Sequence, residues 1–199
     1  MAVVMAPAAG PQSDEQLLAR LAAGDREVLG ELFRRYRGVA YRVAYRLLGN
    51  EADALDAVQD GFVKVLTHVG GFQGRSTFKT WLLRVVSNAA LDLGRARGRR
   101  EASKLEAADE PEPPARLEDP ALPLERADLR RLIDEALASL PEAQRRTFVL
   151  HAEAELSYRE VADILEISIG TVMSRLFYAR QRLRAYLRTR IESDASAIE

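Results

Sequence analysis

From Glu101 to Glu125 the chain carries five prolines and eight acidic residues, opposed only by Lys104 and Arg116, with almost no apolar periodicity. Proline removes a backbone donor and clashes with the preceding helical turn, and clustered acids repel one another, so this stretch cannot join a packed core. Whatever folds must fold on one side of it or the other. Residues 101–123 read as a flexible linker between a first domain at 13–100 and a second at 124–190. Residues 1–12 are rich in Ala, Pro and Gly without period and read as a disordered tail, and 191–199 read as a C-terminal tail.

On both sides of the linker, apolar residues recur at steps of three and four. Ser13 with Gln16 has capping-box spacing before Leu17, Leu18 and Leu21, and Asp25 is placed to cap the helix after it. Leu29, Leu32, Phe33, Tyr36, Ala40, Val43 and Leu47 predict a second helix, stopped at Gly49 and Asn50. A third is predicted from Glu51 to Val69, with Leu55, Val58, Phe62, Val65, Leu66 and Val69 on its apolar face. Gly61 within it costs roughly 1 kcal/mol relative to Ala, which packing must offset. Trp81, Leu82, Val85, Val86, Ala89 and Leu93 mark a fourth. Beyond the linker, helices are predicted up to Pro141, from there to Glu153, over Ser157–Leu165 and over Ile169–Arg190. No segment alternates with period two, so the fold class is all-α, as two small helical domains. A length of 199 residues and 47% hydrophobic content suffice for two such cores.

The absence of cysteine excludes disulfides, thiolate zinc sites and cysteine nucleophiles. His68 and His151 stand apart from each other and from carboxylates at ligand spacing, so no metal and no cofactor is expected. No phosphate loop, nucleophile elbow or paired catalytic motif occurs, and an enzyme is the weakest reading. No run of about eighteen apolar residues and no signal segment is present, so neither membrane insertion nor secretion is expected and a cytoplasmic location follows.

The near-neutral total of −1 hides a segregated charge pattern. Seven cations oppose Asp92 alone between Gly74 and Arg100, and seven arginines oppose three acids between Ser157 and Arg190. The second basic block is a helix-turn-helix pattern, with the three-residue turn Glu166–Ser168. Gly170, Thr171, Ser174, Arg175, Phe177, Tyr178 and Arg182 lie on or near the outer side of its last helix, where hydroxyl and guanidinium groups suit base edges and phosphates. The bland alternative is a packed hairpin with a solvated arginine face. In the first block, Phe72, Arg75, Ser76, Thr77, Lys79, Trp81, Arg84 and Asn88 combine aromatic, basic and amide groups around one loop, a composition that suits unpaired bases. Phe78 and Trp81 serve equally well as core anchors. Asp56, Gln59, Asp60 and Lys64 form a polar face that by itself is either solvated surface or a protein interface.

Taken together these segments resemble the extracytoplasmic-function sigma factors of bacterial RNA polymerase, in the sigma-70 family, from about Asp14 to Arg190. The run from Asp53 to Lys64 is similar to the motif of region 2.2, which implies that Asp56, Gln59, Asp60 and Lys64 contact the β′ clamp helices of core polymerase. Phe72 to Asn88 resembles the stretch that melts and reads the −10 element. Leu140-Pro141-Glu142, Leu156 to Ala162 and Ile169 to Arg180 resemble region 4, which reads duplex −35 DNA and contacts the β flap. Met173 and Tyr178 depart from the pattern, which often has a basic residue at each, and Leu55 stands where an acid is usual. The resemblance implies an alternative sigma factor, nucleoid-associated in holoenzyme, with core polymerase and promoter DNA as partners and an anti-sigma protein as a candidate third. It also implies that the linker threads toward the RNA exit path. The rival reading is a free-standing helix-turn-helix regulator, for which the Phe72–Asn88 cluster has no evident use.

Overall fold

The computed structural model describes residues 12–68, 72, 74, 76–105 and 124–196, and its regular structure there is entirely α-helical. Ser13 closes the predicted capping box with Gln16 and starts α1 (Asp14–Ala22). The Asp25 carboxylate accepts from the Glu27 N–H at 3.2 Å and pairs with Arg20, so it caps the turn that leads into α2 (Val28–Leu48) rather than the helix itself. Gly49 ends α2 at φ 73°, a left-handed conformation that costs glycine nothing, and its N–H reaches the Tyr45 carbonyl. Asn50 then accepts from the Asp53 N–H at 2.8 Å and opens α3 (Glu51–His68). Helix α4 (Phe78–Leu105) continues through the first five residues of the segment read as linker. Residues 106–123, which hold all five prolines of that segment, lie outside the described residues, as do 1–11.

The first four helices surround Leu17, Leu32, Val43, Val58, Phe62, Val65, Leu82, Leu83 and Val86, all buried. Gly61 is the closest approach among them: a Cβ there would stand 2.5 Å from Val86 Cγ2. The helix-propensity cost of Gly61 is thus offset by direct seating of α3 on α4. The predicted apolar face of α3 is corrected here. The buried line runs through Ala54, Ala57, Val58, Gly61, Phe62 and Val65, while Leu55 and Leu66 are exposed together with Val63. Small residues at 54, 57 and 61 let neighbouring helices come close, which turns that side inward and leaves the larger side chains outside.

After the linker, α5 (Leu124–Ala138), α6 (Glu142–Ala152), α7 (Tyr158–Leu165) and α8 (Ile169–Ser196) bury Leu137, Leu140, Val149, Leu150, Leu156, Val161, Ile164, Val172 and Leu176. Pro141 precedes α6, its carbonyl accepting from the N–H groups of Gln144 and Arg145. Ser157 and Glu160 form the predicted capping box on α7. Glu166 turns the chain at φ 55°, and the Ser168 hydroxyl accepts from the Thr171 N–H to start α8, which runs beyond Arg190. No helix among the described residues is long and apolar enough to cross a membrane.

The Gly61→Ala variant is expected to lose about 1–3 kcal/mol of unfolding free energy in chemical denaturation, the usual cost of overpacking. Combining it with Val86→Ala should show a favourable coupling, because the second change removes the atom the new methyl strikes.

Candidate nucleic-acid and protein interfaces

On α3, Asp56, Gln59, Asp60 and Lys64 are all exposed, as the amphipathic pattern requires. The turned face adds Leu55, Val63 and Leu66 to the same outer side, and Phe33 from α2 sits edge-on to Phe62 at 4.8 Å beside it. An acidic surface with apolar side chains set into it can bury area against a helical partner while its carboxylates choose a basic one.

The loop before α4 resolves the two roles left open for its rings. Phe78 is fully buried and belongs to the core. Trp81 is half-buried between that core and Phe72, which leans on it at 5.2 Å. The Thr77 hydroxyl accepts from the Thr80 N–H at 3.1 Å, so it caps α4. Ser76 and Lys79 are half-buried next to it, and Arg75 lies outside the described residues.

Arg84 and Asn88, one and two turns further along α4, are engaged by the second domain. The Arg84 guanidinium donates to the Asp163 carbonyl and stands 3.6 Å from Glu166. Arg146 donates to the Asn88 side-chain oxygen and, at 3.2 Å, to the Ser87 hydroxyl. Thr80 donates to Glu160 at 3.1 Å, and Arg95 pairs with Glu142 at 2.7 Å. On the other side of this seam, Arg46 of α2 lies between Asp134 at 2.5 Å and Glu153 at 3.0 Å, with the Tyr45 hydroxyl also on Asp134. Burial works to raise the Glu160 carboxyl, but hydrogen bonds from Ser157 and Thr80 outweigh it and hold the group below the usual carboxylate range. Burial also pushes the Arg146 and Arg145 guanidinium groups down from their ordinary value.

Sequence reasoning did not single out Arg46, Asp134, Arg146 or Glu153. Their partners lie far away in the sequence, so no local spacing marks them. On α8, Gly170, Ser174, Phe177, Tyr178 and Arg182 are exposed, while Thr171 and Arg175 are half-buried. The Phe177 and Tyr178 rings meet edge to face at 5.4 Å. The outer side of α8 is thus open to solvent, whereas Arg84 and Asn88 of the loop-and-α4 cluster are engaged at the seam.

The sigma-70 region 2 family matches residues 32–100, and the sigma-70 region 4 family matches residues 130–183. Over 177 residues the chain is 32% identical to the ECF RNA polymerase sigma-E factor of Escherichia coli, covering 86% of this chain and 92% of that one. The chain belongs to the extracytoplasmic-function (ECF) sigma factors of RNA polymerase. It is also 38% identical over 175 residues to the ECF RNA polymerase sigma factor SigE of Mycolicibacterium smegmatis, spanning 83% of this chain and 65% of that relative. Among solved structures, CnrH in complex with the cytosolic domain of CnrY is similar at 28% identity and a TM-score of 0.68, over 89% of this chain and 99% of that one. The sigma factor RpoE in complex with the anti-sigma factor NepR from Bartonella quintana is similar at 26% identity and a TM-score of 0.59, over 87% and 93%. As an ECF sigma factor, the chain is a transcription-initiation factor.

The Asp134→Asn, Glu153→Gln double variant leaves Arg46 shielded from water without a counter-charge. It is expected to lower the stability of the joined domains by about 2 kcal/mol, less than for a fully buried pair. In denaturation followed by circular dichroism, one transition should separate into two.

Proposed function

We propose that this sigma factor docks on core polymerase through α3, holds the opened −10 strand on the Phe72–Asn88 surface and reads duplex −35 DNA with the first turns of α8. The observation that carries this reading is that one chain presents both kinds of nucleic-acid surface on separate domains. Phe72 and Trp81 offer ring faces for unpaired bases, with Arg75, Ser76, Lys79, Arg84 and Asn88 supplying backbone and base-edge contacts. Thr77 acts there by fixing the start of α4. Gly170, Thr171, Ser174, Arg175, Phe177, Tyr178 and Arg182 stand on the major-groove side of a helix-turn-helix. Asp56, Gln59, Asp60 and Lys64 meet the clamp helices, Leu55, Val63 and Leu66 adding apolar area, while the second domain meets the β flap.

Arg84 and Asn88 hydrogen-bond to α6 and α7 in the joined arrangement, so the −10 strand and the second domain compete for the same groups. Docking on polymerase, with the domains held apart at the −10 and −35 elements, removes that competition. Of the two solved relatives named above, one was determined with the anti-sigma factor NepR and the other with the cytosolic domain of CnrY, and an anti-sigma protein covering the α3 and seam surfaces is the corresponding partner here. Acting with polymerase places the chain in the cytoplasm, at the nucleoid when in holoenzyme.

Run-off transcription by sigma-free core polymerase on a promoter library tests this directly. The wild-type chain should give selective initiation, and the Asp56→Ala, Gln59→Ala, Asp60→Ala variant, with unchanged helicity, should lose most of it. Absence of initiation with wild type, together with absence of core binding, would transfer the chain to the free-standing regulators.

A further inference from the structure

The first turns of α8 carry a feature that hydrogen-bonding readout does not use. Ile169, Met173 and Phe177 follow one another at four-residue steps, and Met173 and Phe177 are 55% and 56% exposed. Leaving a methionine and a phenylalanine in water forgoes the stabilisation their burial would give, and neither supports the fold from that position. The neighbouring hydroxyl groups are already committed. Thr171 pairs with Ser168 at 2.9 Å, and Ser174 donates to the Thr171 carbonyl at 3.0 Å, both within the helix start. Gly170, on the same side, has no packing reason to be glycine. A Cβ there would meet only Ser168 Oγ at 3.7 Å, and its φ is not left-handed, so the missing side chain leaves room for something approaching from outside.

We infer that Met173, backed by Phe177, is a specificity-determining residue that reads the C5-methyl group of a thymine in the major groove of the −35 duplex. The inference rests on the −35 reading proposed above and adds the chemistry of selection. Thymine is the one base that presents an apolar group in the major groove, and an unbranched thioether adapts its shape to such a group. The strip is narrow along Ile169 and Met173 and widens only where Tyr178 meets Phe177, with Gly170 and Ser174 beside it and Arg175 and Arg182 available for flanking phosphates. A helical protein partner would call for a broader apolar patch. Recognition at this position therefore depends on burial rather than on charge, and does not weaken with salt as phosphate contacts do.

The test uses holoenzyme assembled from core polymerase and the full chain, with promoter fragments selected from a library randomised across the −35 element. Selection should enrich a thymine. Replacing that thymine by 2′-deoxyuridine, which removes only the methyl group, should weaken wild-type binding roughly fourfold, the effect of one buried methyl. Met173→Ser should bind the two fragments equally, and Met173→Lys should shift selection toward guanine, whose O6 and N7 accept from an ammonium. A selected −35 element in which uracil replaces thymine without loss would overturn the inference and leave −35 reading intact. Unchanged uracil sensitivity in Met173→Ser would also overturn it. Failure to enrich any −35 sequence would sink the −35 reading and this inference together.

Discussion

The arrangement of the two domains depends on the guanidinium of Arg46. Its side chain is only 18% exposed, and it meets carboxylates from both α5 and the end of α6. A cation so shielded from water is tolerable only when paired, so α2 cannot leave Asp134 and Glu153 without returning Arg46 to solvent. With that corner fixed, α6 and α7 are brought onto α4, and the contacts of Thr80, Arg84 and Asn88 follow. Two of the residues read as suited to unpaired bases, Arg84 and Asn88, are thereby among those that hold the second domain.

The chemistry of the seam suits an interface that opens. Gln144 Oε1, Arg145 Nε and Arg146 Nε on α6 are buried without a hydrogen-bond partner, and the Arg146 guanidinium reaches across the seam to Ser87 and Asn88. Such groups lose their hydration when the domains join and regain it when they part, which offsets part of the ion-pair gain. A permanent core would be expected to satisfy them. Leu82 and Val86 on one side and Leu150 and Leu176 on the other belong to one continuous set of buried apolar residues, so the seam carries apolar contact as well as ion pairs.

Much of this was legible in the residues. Capping boxes at Ser13 and Ser157, the glycine stop at Gly49 and the three-residue turn after Leu165 are local chemistry, and they appear where they were read. The apolar face of α3 was misread because periodicity weighs Leu55 and Leu66 above Ala54 and Ala57, whereas close packing favours the smaller side chains. Thr77, read as a nucleic-acid ligand, also caps α4, a role common for a hydroxyl just before a helix. The seam was not legible at all. Its pairs join residues about fifty to more than a hundred positions apart, across a linker whose length and charge say nothing about where the domains meet.

The central claim is that the seam between α4 and the second domain is exchanged for promoter DNA on polymerase. Since the chain has no cysteine, thiols introduced by Asp92→Cys and Ser139→Cys allow two spin labels to be placed across the seam, and their separation measured by pulsed dipolar spectroscopy. The account predicts a short, narrow distance in the free chain and a long one once core polymerase and promoter DNA are bound. The same short distance in a complex that initiates transcription would contradict it.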